Sequence, residues 1–308
     1  MKNRTKQIVR ASWIGIIGNS ILALLKIVFG LFSKSMALVG DGIDSSTDVV
    51  TSFIMLFASK VMSKPPDREH PYGHHRAETI ATTILGFIIF FAGAQLFING
   101  ISDIISKTEK EIPSKLSIYI VILSIFGKIF LSFYQYKVGK QTQSSMLIAN
   151  AKNMRNDIAI STGVLLGLGF TYLLDLPIFD SITAILVSLW IIKASYEIVI
   201  ETNMELMDGV KDTTIYEEIF RTIESIQGAY NPHRTRVRKL ANLYIIDTDI
   251  EVDGNLNVLV AHQIAMEVEE RIKENIQDVY DVIVHVEPIG NVEHNESYGL
   301  REGMFKNE

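Results

Sequence analysis

Long apolar runs separated by short polar segments occupy the chain from its start to Met204. A helix that crosses a bilayer needs about 20 mostly apolar residues, because it must span ~30 Å of hydrocarbon at ~1.5 Å per residue. Six runs are long enough, at Ser12–Phe32, Met36–Met62, Thr79–Ile105, Leu116–Val138, Met146–Leu173 and Ile178–Ile200. The first is too long for a signal peptide, and no small-residue cleavage site follows it. The pattern therefore predicts an α-helical membrane domain of six transmembrane helices over residues 1–205.

The rest of the chain has the shorter periods of a water-soluble domain. Apolar residues recur at helical spacing from Ile215 to Ile226, behind a candidate N-cap at Asp212. Two strand patterns, a second amphipathic helix and a third strand pattern follow, at His233–Leu240, Tyr244–Val252, Asn257–Lys273 and from Tyr280 to Val286. The order αββαβ predicts a cytoplasmic α+β domain of ferredoxin or metallochaperone type over residues 206–290, with two helices on one side of a three-stranded sheet. Residues 291–308 form a polar tail that we expect to be disordered.

Charge divides the chain at the same place. Lys and Arg outnumber Asp and Glu up to Met204, whereas acidic residues dominate from Glu205 and bring the formal charge of the chain to −6. An acidic soluble domain argues against nucleic acid as a partner. The chain has no cysteine, which excludes a disulfide scaffold, thiolate metal sites and iron–sulfur clusters. Composition instead predicts the lipid bilayer as a partner.

The distribution of Lys and Arg predicts the orientation of the helices. Basic residues concentrate in the N-terminal leader, in Lys60–Arg76 and in Lys137–Lys152, while Leu173–Phe179 has none. The segment that holds Lys107, Lys110 and Lys115 weakens the contrast, although acidic residues lie among these lysines. Because positive residues favour the cytoplasmic side, we expect a multi-pass protein of the cell membrane with both termini in the cytoplasm.

Carboxylates inside the second apolar run are the first candidate chemistry. At ~100° per residue, Asp41 and Asp44 each lie within about 40° of Asp48, so the three side chains share one helix face. A charge at membrane depth is costly and usually lines a pathway, and Asp48 falls near the middle of the run. The alternative is that these acids cap the helix at the membrane interface, which suits Asp41 better than Asp48.

The fifth run repeats the spacing with Asn153 and Asp157, which lie one helical turn apart. Two helices with such pairs offer four oxygen ligands, a set that suits a divalent cation. Two lysines also lie inside apolar runs, Lys26 and Lys128. They either extend to the interface or pair with acids, or they take part in transport.

The segment between the second and third runs holds a second candidate metal site. Prolines and Gly73 prevent a regular helix there. Asp67, His70 and His74 lie within eight residues, and imidazole with carboxylate is a common ligand set for zinc. The alternative is an ordinary polar loop with surface histidines.

The acidic domain offers a third group of metal-ligating residues. Asp249 lies on the second predicted strand, while His285 and Glu287 lie on the third and share a sheet face with it. His233 begins the first strand, and His262 lies on the second helix. The alternative is a solvated sheet face. Three arginines alternate on the first strand, at Arg234, Arg236 and Arg238, and we expect them to form salt bridges with the acidic row.

Together these motifs resemble the cation diffusion facilitator family of divalent metal/proton exchangers. The resemblance covers the chain to about Pro288. It rests on Ser35-x-Ala-Leu-x2-Asp41-x2-Asp44-Ser-x2-Asp48, His70-x2-Gly73-His74-x-Arg-x-Glu78, Asn153-x3-Asp157 and the acidic αββαβ domain.

The resemblance implies three metal sites. The transport site within the membrane would consist of Asp44, Asp48, Asn153 and Asp157, with Asp41 as an accessory residue. The loop site of zinc-carrying relatives corresponds to Asp67, His70 and His74. The residues that correspond to a bound metal pair in the cytoplasmic domain of such relatives are His233, His262, His285 and Glu287, while Asp249 stands where those relatives have histidine.

Family membership also implies a homodimer, a direction of transport and a metal. A charge pair that pins the membrane halves of the dimer corresponds to Arg76 and Asp208. Zinc-carrying relatives generally have histidine where this chain has Asn153, and an all-oxygen site favours Mn²⁺, with Zn²⁺ or Fe²⁺ as the alternative. With no histidine in the site, carboxylates would carry the returning protons. The expected function is therefore metal efflux by proton exchange, with the metal as substrate and regulator and no obligatory cofactor.

Two other classes of function compete with this expectation. A membrane metal sensor or scaffold could use the same ligands without transporting the metal. A membrane-embedded hydrolase is disfavoured, because the sequence contains neither His-Glu-x2-His nor Gly-x-Ser-x-Gly.

Overall fold

The computed structural model describes residues 2–62, 64–105, 111–142, 144–240, 243–291 and 299–301. They divide into two compact units, one of Met1–Lys60 with Ala81–Val199 and the other of Val61–Ile80 with Ile200–Glu308.

Long helices fill the first unit, at the positions that the apolar runs predict. Their bounds are α1 Lys2–Phe32, α2 Met36–Met62, α3 Arg76–Ile105, α4 Leu116–Thr142, α5 Ser145–Leu174 and α6 Ile178–Leu206. Within the described residues, five of them are long and apolar enough to cross a membrane. Helix α2, part of which has no described side chains, is not among these five. All six predicted helices form, and composition supports a membrane span for five of them.

The interior of this unit joins apolar packing with buried polar groups. Helix α4 packs against α1 and α5, and large side chains such as Phe91 and Phe130 are exposed on the outside. Helix α2 lies close to α3 and α6 at Gly40, where a Cβ atom would stand 2.7 Å from Leu96 Cδ2 and 3.0 Å from Val187 Cγ1. An exposed apolar exterior is what a lipid-facing surface needs.

The second unit contains the small α/β domain. Its elements are α7 Thr214–Glu224, β1 Tyr230–Leu240, β2 Leu243–Val252, α8 Val258–Asn275 and β3 Val279–Pro288, in the predicted order αββαβ. The sheet has the order β1-β2-β3, with β1 antiparallel and β3 parallel to β2. Alternate residues of β2 and the apolar faces of both helices form one core, in which Ile219, Ile246 and Ile272 are fully buried. The closer comparison with ferredoxins or metallochaperones stays a prediction.

A short part of the predicted polar tail pairs with the sheet. Leu300 forms an antiparallel bridge with Thr235 of β1, through backbone hydrogen bonds of 3.0 and 2.9 Å. Gly299 has a φ of +84°, and a Cβ atom there would stand 2.6 Å from the backbone of Arg234. The bridge forms because β1 is an edge strand with unpaired backbone groups. The rest of the predicted tail, apart from Asn291 and Arg301, lies outside the described residues.

Candidate metal centres

A cluster of carboxylates lies among the helices of the first unit. Asp44 on α2 is within electrostatic reach of Asp41 and of Asp157 on α5. The Asp48 and Asp157 carboxyl groups lie close enough to interact directly. Asp41 and Asp157 are buried, and Asp44 and Asp48 are half-buried. The shared helix face that the spacing predicts therefore points into the helix bundle.

Asn153 is not brought into this cluster. It lies one turn before Asp157 on α5, where it is exposed, and the contacts of the described residues include none between it and Asp44 or Asp48. The structure thus assembles three carboxylates of the predicted transport site. The amide of Asn153 as the fourth ligand stays a prediction.

Lys26 is fixed beside the cluster by three oxygen atoms. Its ammonium donates to Asp41 Oδ1 at 2.8 Å, Ser45 Oγ at 3.0 Å and Ser161 Oγ at 2.9 Å. Lys26 and Asp41 are both completely buried. These contacts tie α1, α2 and α5 together, so of the alternatives that the sequence left open, Lys26 takes the ion pair.

Lys128 of α4 is also buried and forms an ion pair with Asp157. Asp44 and Asp48 lie within its electrostatic reach. The Lys128 ammonium group therefore pairs with a predicted metal ligand. The sequence suggests such a pair only as one of several alternatives for Lys128.

The loop residues converge as their spacing predicts. Asp67, His70 and His74 each offer a ligand atom, and these atoms lie within 4.8 Å of one another. Asp67 Oδ1 is 3.1 Å from His70 Nδ1, and Asp67 Oδ2 is 3.4 Å from His74 Nε2. A hydrogen bond from the backbone N–H of His70 is the main cause that lowers the pKa of Asp67. The carboxylate is thus held in its charged form, which metal binding requires.

Three residues of the cytoplasmic domain form a buried cluster. His233, Asp249 and Glu287 offer ligand atoms within 4.8 Å of one another. The register explains this, since His233 lies opposite Asp249 and Asp249 lies opposite His285 across the sheet. Burial raises the pKa of Asp249. Asp249 Oδ2 and Glu287 Oε1 are buried and accept no hydrogen bond among the described residues, although charged or ring nitrogen atoms of Arg234 and His285 lie near them.

The other two histidines of the predicted cytoplasmic site lie at its margin or outside it. The His285 side chain is 61% exposed, and its Nε2 atom is 3.4 Å from Glu287 Oε1. His262 is exposed on α8 and does not belong to the cluster among the described residues.

An arginine enters the same cluster, which strand alternation does not predict. Arg234 Nη1 lies 3.1 Å from Asp249 Oδ2 and 3.8 Å from Glu287 Oε1. The ladder is irregular between His233 and Arg236, and Arg234 has a φ of +47°. Such a bulge redirects the side chain, so Arg234 reaches the acids near its neighbour His233. As the sequence predicts, Arg236 Nη2 lies 3.8 Å from Asp247, and Arg238 pairs with the same acid.

The predicted charge pair of Arg76 and Asp208 forms within one chain. Arg76 at the start of α3 donates to Asp208 and, at 3.1 Å, to the backbone oxygen of Leu206. Thr79 donates to Glu205 at 2.6 Å beside it. The pair joins the start of α3 to the end of α6, while its role in a dimer stays a prediction.

Both parts of the chain are similar to known proteins. The family model of the cation efflux transmembrane domain matches residues 12–207, and that of the cation efflux protein cytoplasmic domain matches residues 212–289. The manganese efflux system protein MneS of Bacillus subtilis is 32% identical over 271 residues, which cover 87% of this chain and 91% of that protein. The manganese efflux system protein MneP of the same organism is 32% identical, with coverage of 94% and 99%. The metal-bound C-terminal domain of the CzcD transporter from Thermotoga maritima is 40% identical and covers 26% of this chain and 93% of that one, with a TM-score of 0.25.

Proposed function

The chain belongs to the cation efflux family, also called the cation diffusion facilitator family, and on this premise we propose that it exports Mn²⁺ from the cytoplasm in exchange for protons. The family consists of multi-pass membrane transporters of metal cations, not enzymes. Zn²⁺ or Fe²⁺ transport by the same site is the alternative.

The observation that carries the proposal is the group of three carboxylates from two helices, formed by Asp44, Asp48 and Asp157. Carboxylate oxygens bind hard divalent cations, and Mn²⁺ accepts an all-oxygen site more readily than Zn²⁺ does. Asn153, the proposed fourth ligand, adds an amide oxygen in place of an imidazole nitrogen. Two relatives whose names say manganese efflux support the same choice of metal.

The same carboxyl groups support proton exchange. Carboxyl groups as close as those of Asp48 and Asp157 repel each other when both are ionised, so a proton on one of them relieves the repulsion. A metal ion that binds both carboxylates must displace this proton. Protons that return from the other side of the membrane would then release the metal.

We further propose that the protein is a homodimer joined through its cytoplasmic domain, with both termini in the cytoplasm. The positive charge of the N-terminal leader and of Lys60–Arg76 supports this orientation. The loop and cytoplasmic clusters would bind regulatory metal ions, because each joins imidazole and carboxylate groups.

Metal flux into proteoliposomes across an imposed pH gradient tests the function. Purified protein should transport Mn²⁺ faster than Zn²⁺, and collapse of the gradient should stop accumulation. Faster Zn²⁺ transport would overturn the choice of metal, but the proposal of metal/proton exchange would stand. Absence of flux for Mn²⁺, Zn²⁺ and Fe²⁺ would favour a metal sensor or scaffold that does not transport.

Replacing Glu287 with alanine should weaken activation by metal. The substitution removes a buried ligand from the cytoplasmic cluster, so half-maximal flux should require several-fold more metal, while flux at saturating metal changes little. Glu270→Ala, at an exposed position of α8, serves as the matched control. An unchanged metal dependence for Glu287→Ala, measured beside this control, would make the domain a dimerisation module without a sensing role.

A further inference from the structure

We propose that Lys128 is a tethered counter-ion that holds the Asp157 carboxylate in the metal-free transport site and that the incoming metal must displace. Its effect is to weaken metal binding enough for the metal to be released. This inference rests on the proposed function, because it concerns the same site. It assigns a role in affinity to a residue that is not itself a metal ligand.

The charges of the cluster give the first reason. Four carboxylates, those of Asp41, Asp44, Asp48 and Asp157, surround two ammonium groups, those of Lys26 and Lys128. When all are ionised, two negative charges are left without a partner in this cluster, and one divalent cation balances them. Without either lysine the site would attract cations more strongly, because charges interact strongly at low dielectric constant.

The two lysines differ in how they are held. Lys26 has three hydrogen-bond acceptors, as many as its ammonium has protons. Lys128 has one hydrogen bond among the described residues, and its acceptor is Asp157. A lysine side chain has a flexible four-carbon stem. Lys26 is therefore a fixed part of the structure, whereas Lys128 can withdraw once another cation neutralises Asp157.

Competition for one carboxylate links this geometry to transport. The metal and the Lys128 ammonium cannot both occupy the same lone pairs of Asp157, so metal binding includes the cost of separating the ion pair. The ammonium group also stays beside the site and pairs with Asp157 again when the metal leaves. We expect that loss of Lys128 strengthens metal binding and slows release.

Isothermal titration of the full-length protein in detergent with Mn²⁺ tests this inference, and the binding that Asp48→Asn removes is assigned to the transport site. Lys128→Met keeps the length of the side chain and removes its charge, and it should lower the Kd by about tenfold or more, because a neighbouring positive charge is lost at low dielectric constant. Lys128→Gln should shift the Kd in the same direction and serves if the methionine variant does not fold. Lys128→Arg keeps the charge and should stay close to the wild-type Kd. In proteoliposomes, the methionine or glutamine variant should lower both the KM and the maximal rate.

A purely structural role for Lys128 predicts the opposite result. The uncharged variants would then bind Mn²⁺ more weakly, or equally well, and either result would overturn the proposal. Tighter binding by all three variants, including arginine, would also overturn it, because side-chain shape and not charge would then be the cause. Binding in detergent is measured without flux. A wild-type protein that shows no flux would therefore refute the proposed function without deciding the role of Lys128. Normal wild-type exchange with an unchanged Kd for the uncharged variants would refute the role of Lys128 alone.

Discussion

Asp48→Asn should abolish metal transport and leave the protein folded. Asparagine has nearly the same size as aspartate, and its amide group can still donate a hydrogen bond to Asp157, the partner of Asp48. The substitution therefore removes one negative charge and one strong metal ligand without opening a cavity. Because changes in the surroundings of a metal site already cost ~10–100-fold in metal affinity, we expect loss of a ligand to reduce flux by about 100-fold or more.

The measurement is initial Mn²⁺ flux in proteoliposomes, with the thermal melting temperature in detergent determined on the same protein. Asp175→Asn is the matched control, since Asp175 is an exposed residue at the C-cap of α5 with a φ of +52°. Asparagine tolerates this left-handed conformation as well as aspartate does. Flux near the wild-type level in Asp48→Asn would remove Asp48 from the transport site.

Asp157→Asn is a less selective test, for a reason that only the structure reveals. The sequence predicts Asp48 and Asp157 as equivalent ligands. In the structure, Asp157 also neutralises the buried Lys128, so its replacement leaves a buried cation without a partner. Loss of transport in this variant would combine a missing ligand with a destabilised fold. Asp48 carries no such ion pair among the described residues, which makes it the better position.

The pattern of apolar residues predicts the helices and strands well, because periodicity reports directly on buried faces. The positions of α1 to α6 and the order αββαβ follow from it. The pairing of Lys26 with Asp41 does not, because the two residues belong to different helices and periodicity contains no information on which helices touch. The partner of a buried charge is therefore set by residues that are distant in sequence and adjacent in the fold.

Local backbone geometry accounts for what the pattern misses in the cytoplasmic domain. Strict alternation along β1 places His233 and Arg234 on opposite faces, whereas the irregular ladder brings both to the acids of Asp249 and Glu287. The bridge of Leu300 to Thr235 is missed because it adds one residue to a sheet edge and has no periodicity. Which candidate residues come together in the cytoplasmic domain therefore needed the structure, although His233, Asp249 and Glu287 could each be named from residue type.

Lys26→Met should destabilise the membrane domain strongly. Lys26 and Asp41 are completely buried, and removal of one partner leaves the other charge uncompensated, which costs about 3–5 kcal/mol in buried ion pairs. Ser45 and Ser161 lose a hydrogen bond as well. The expected result is a large fall in the melting temperature of the detergent-solubilised protein, whether or not Mn²⁺ is present.

A second substitution separates charge from packing in this prediction. Lys26→Met combined with Asp41→Leu replaces both charges with apolar side chains and should recover most of the lost stability, since such exchanges of buried pairs are often neutral or stabilising. Lys193→Met, at an exposed lysine 3.7 Å from Glu197, should change the melting temperature little. If Lys26→Met melts like the wild type, the ion pair is not a structural element, and Lys26 would then join Lys128 as a residue that adjusts the charge of the transport site. If Lys26→Met lowers the melting temperature and the double variant restores it, neutralisation of Asp41 stabilises the helix bundle. The two buried lysines then have different roles.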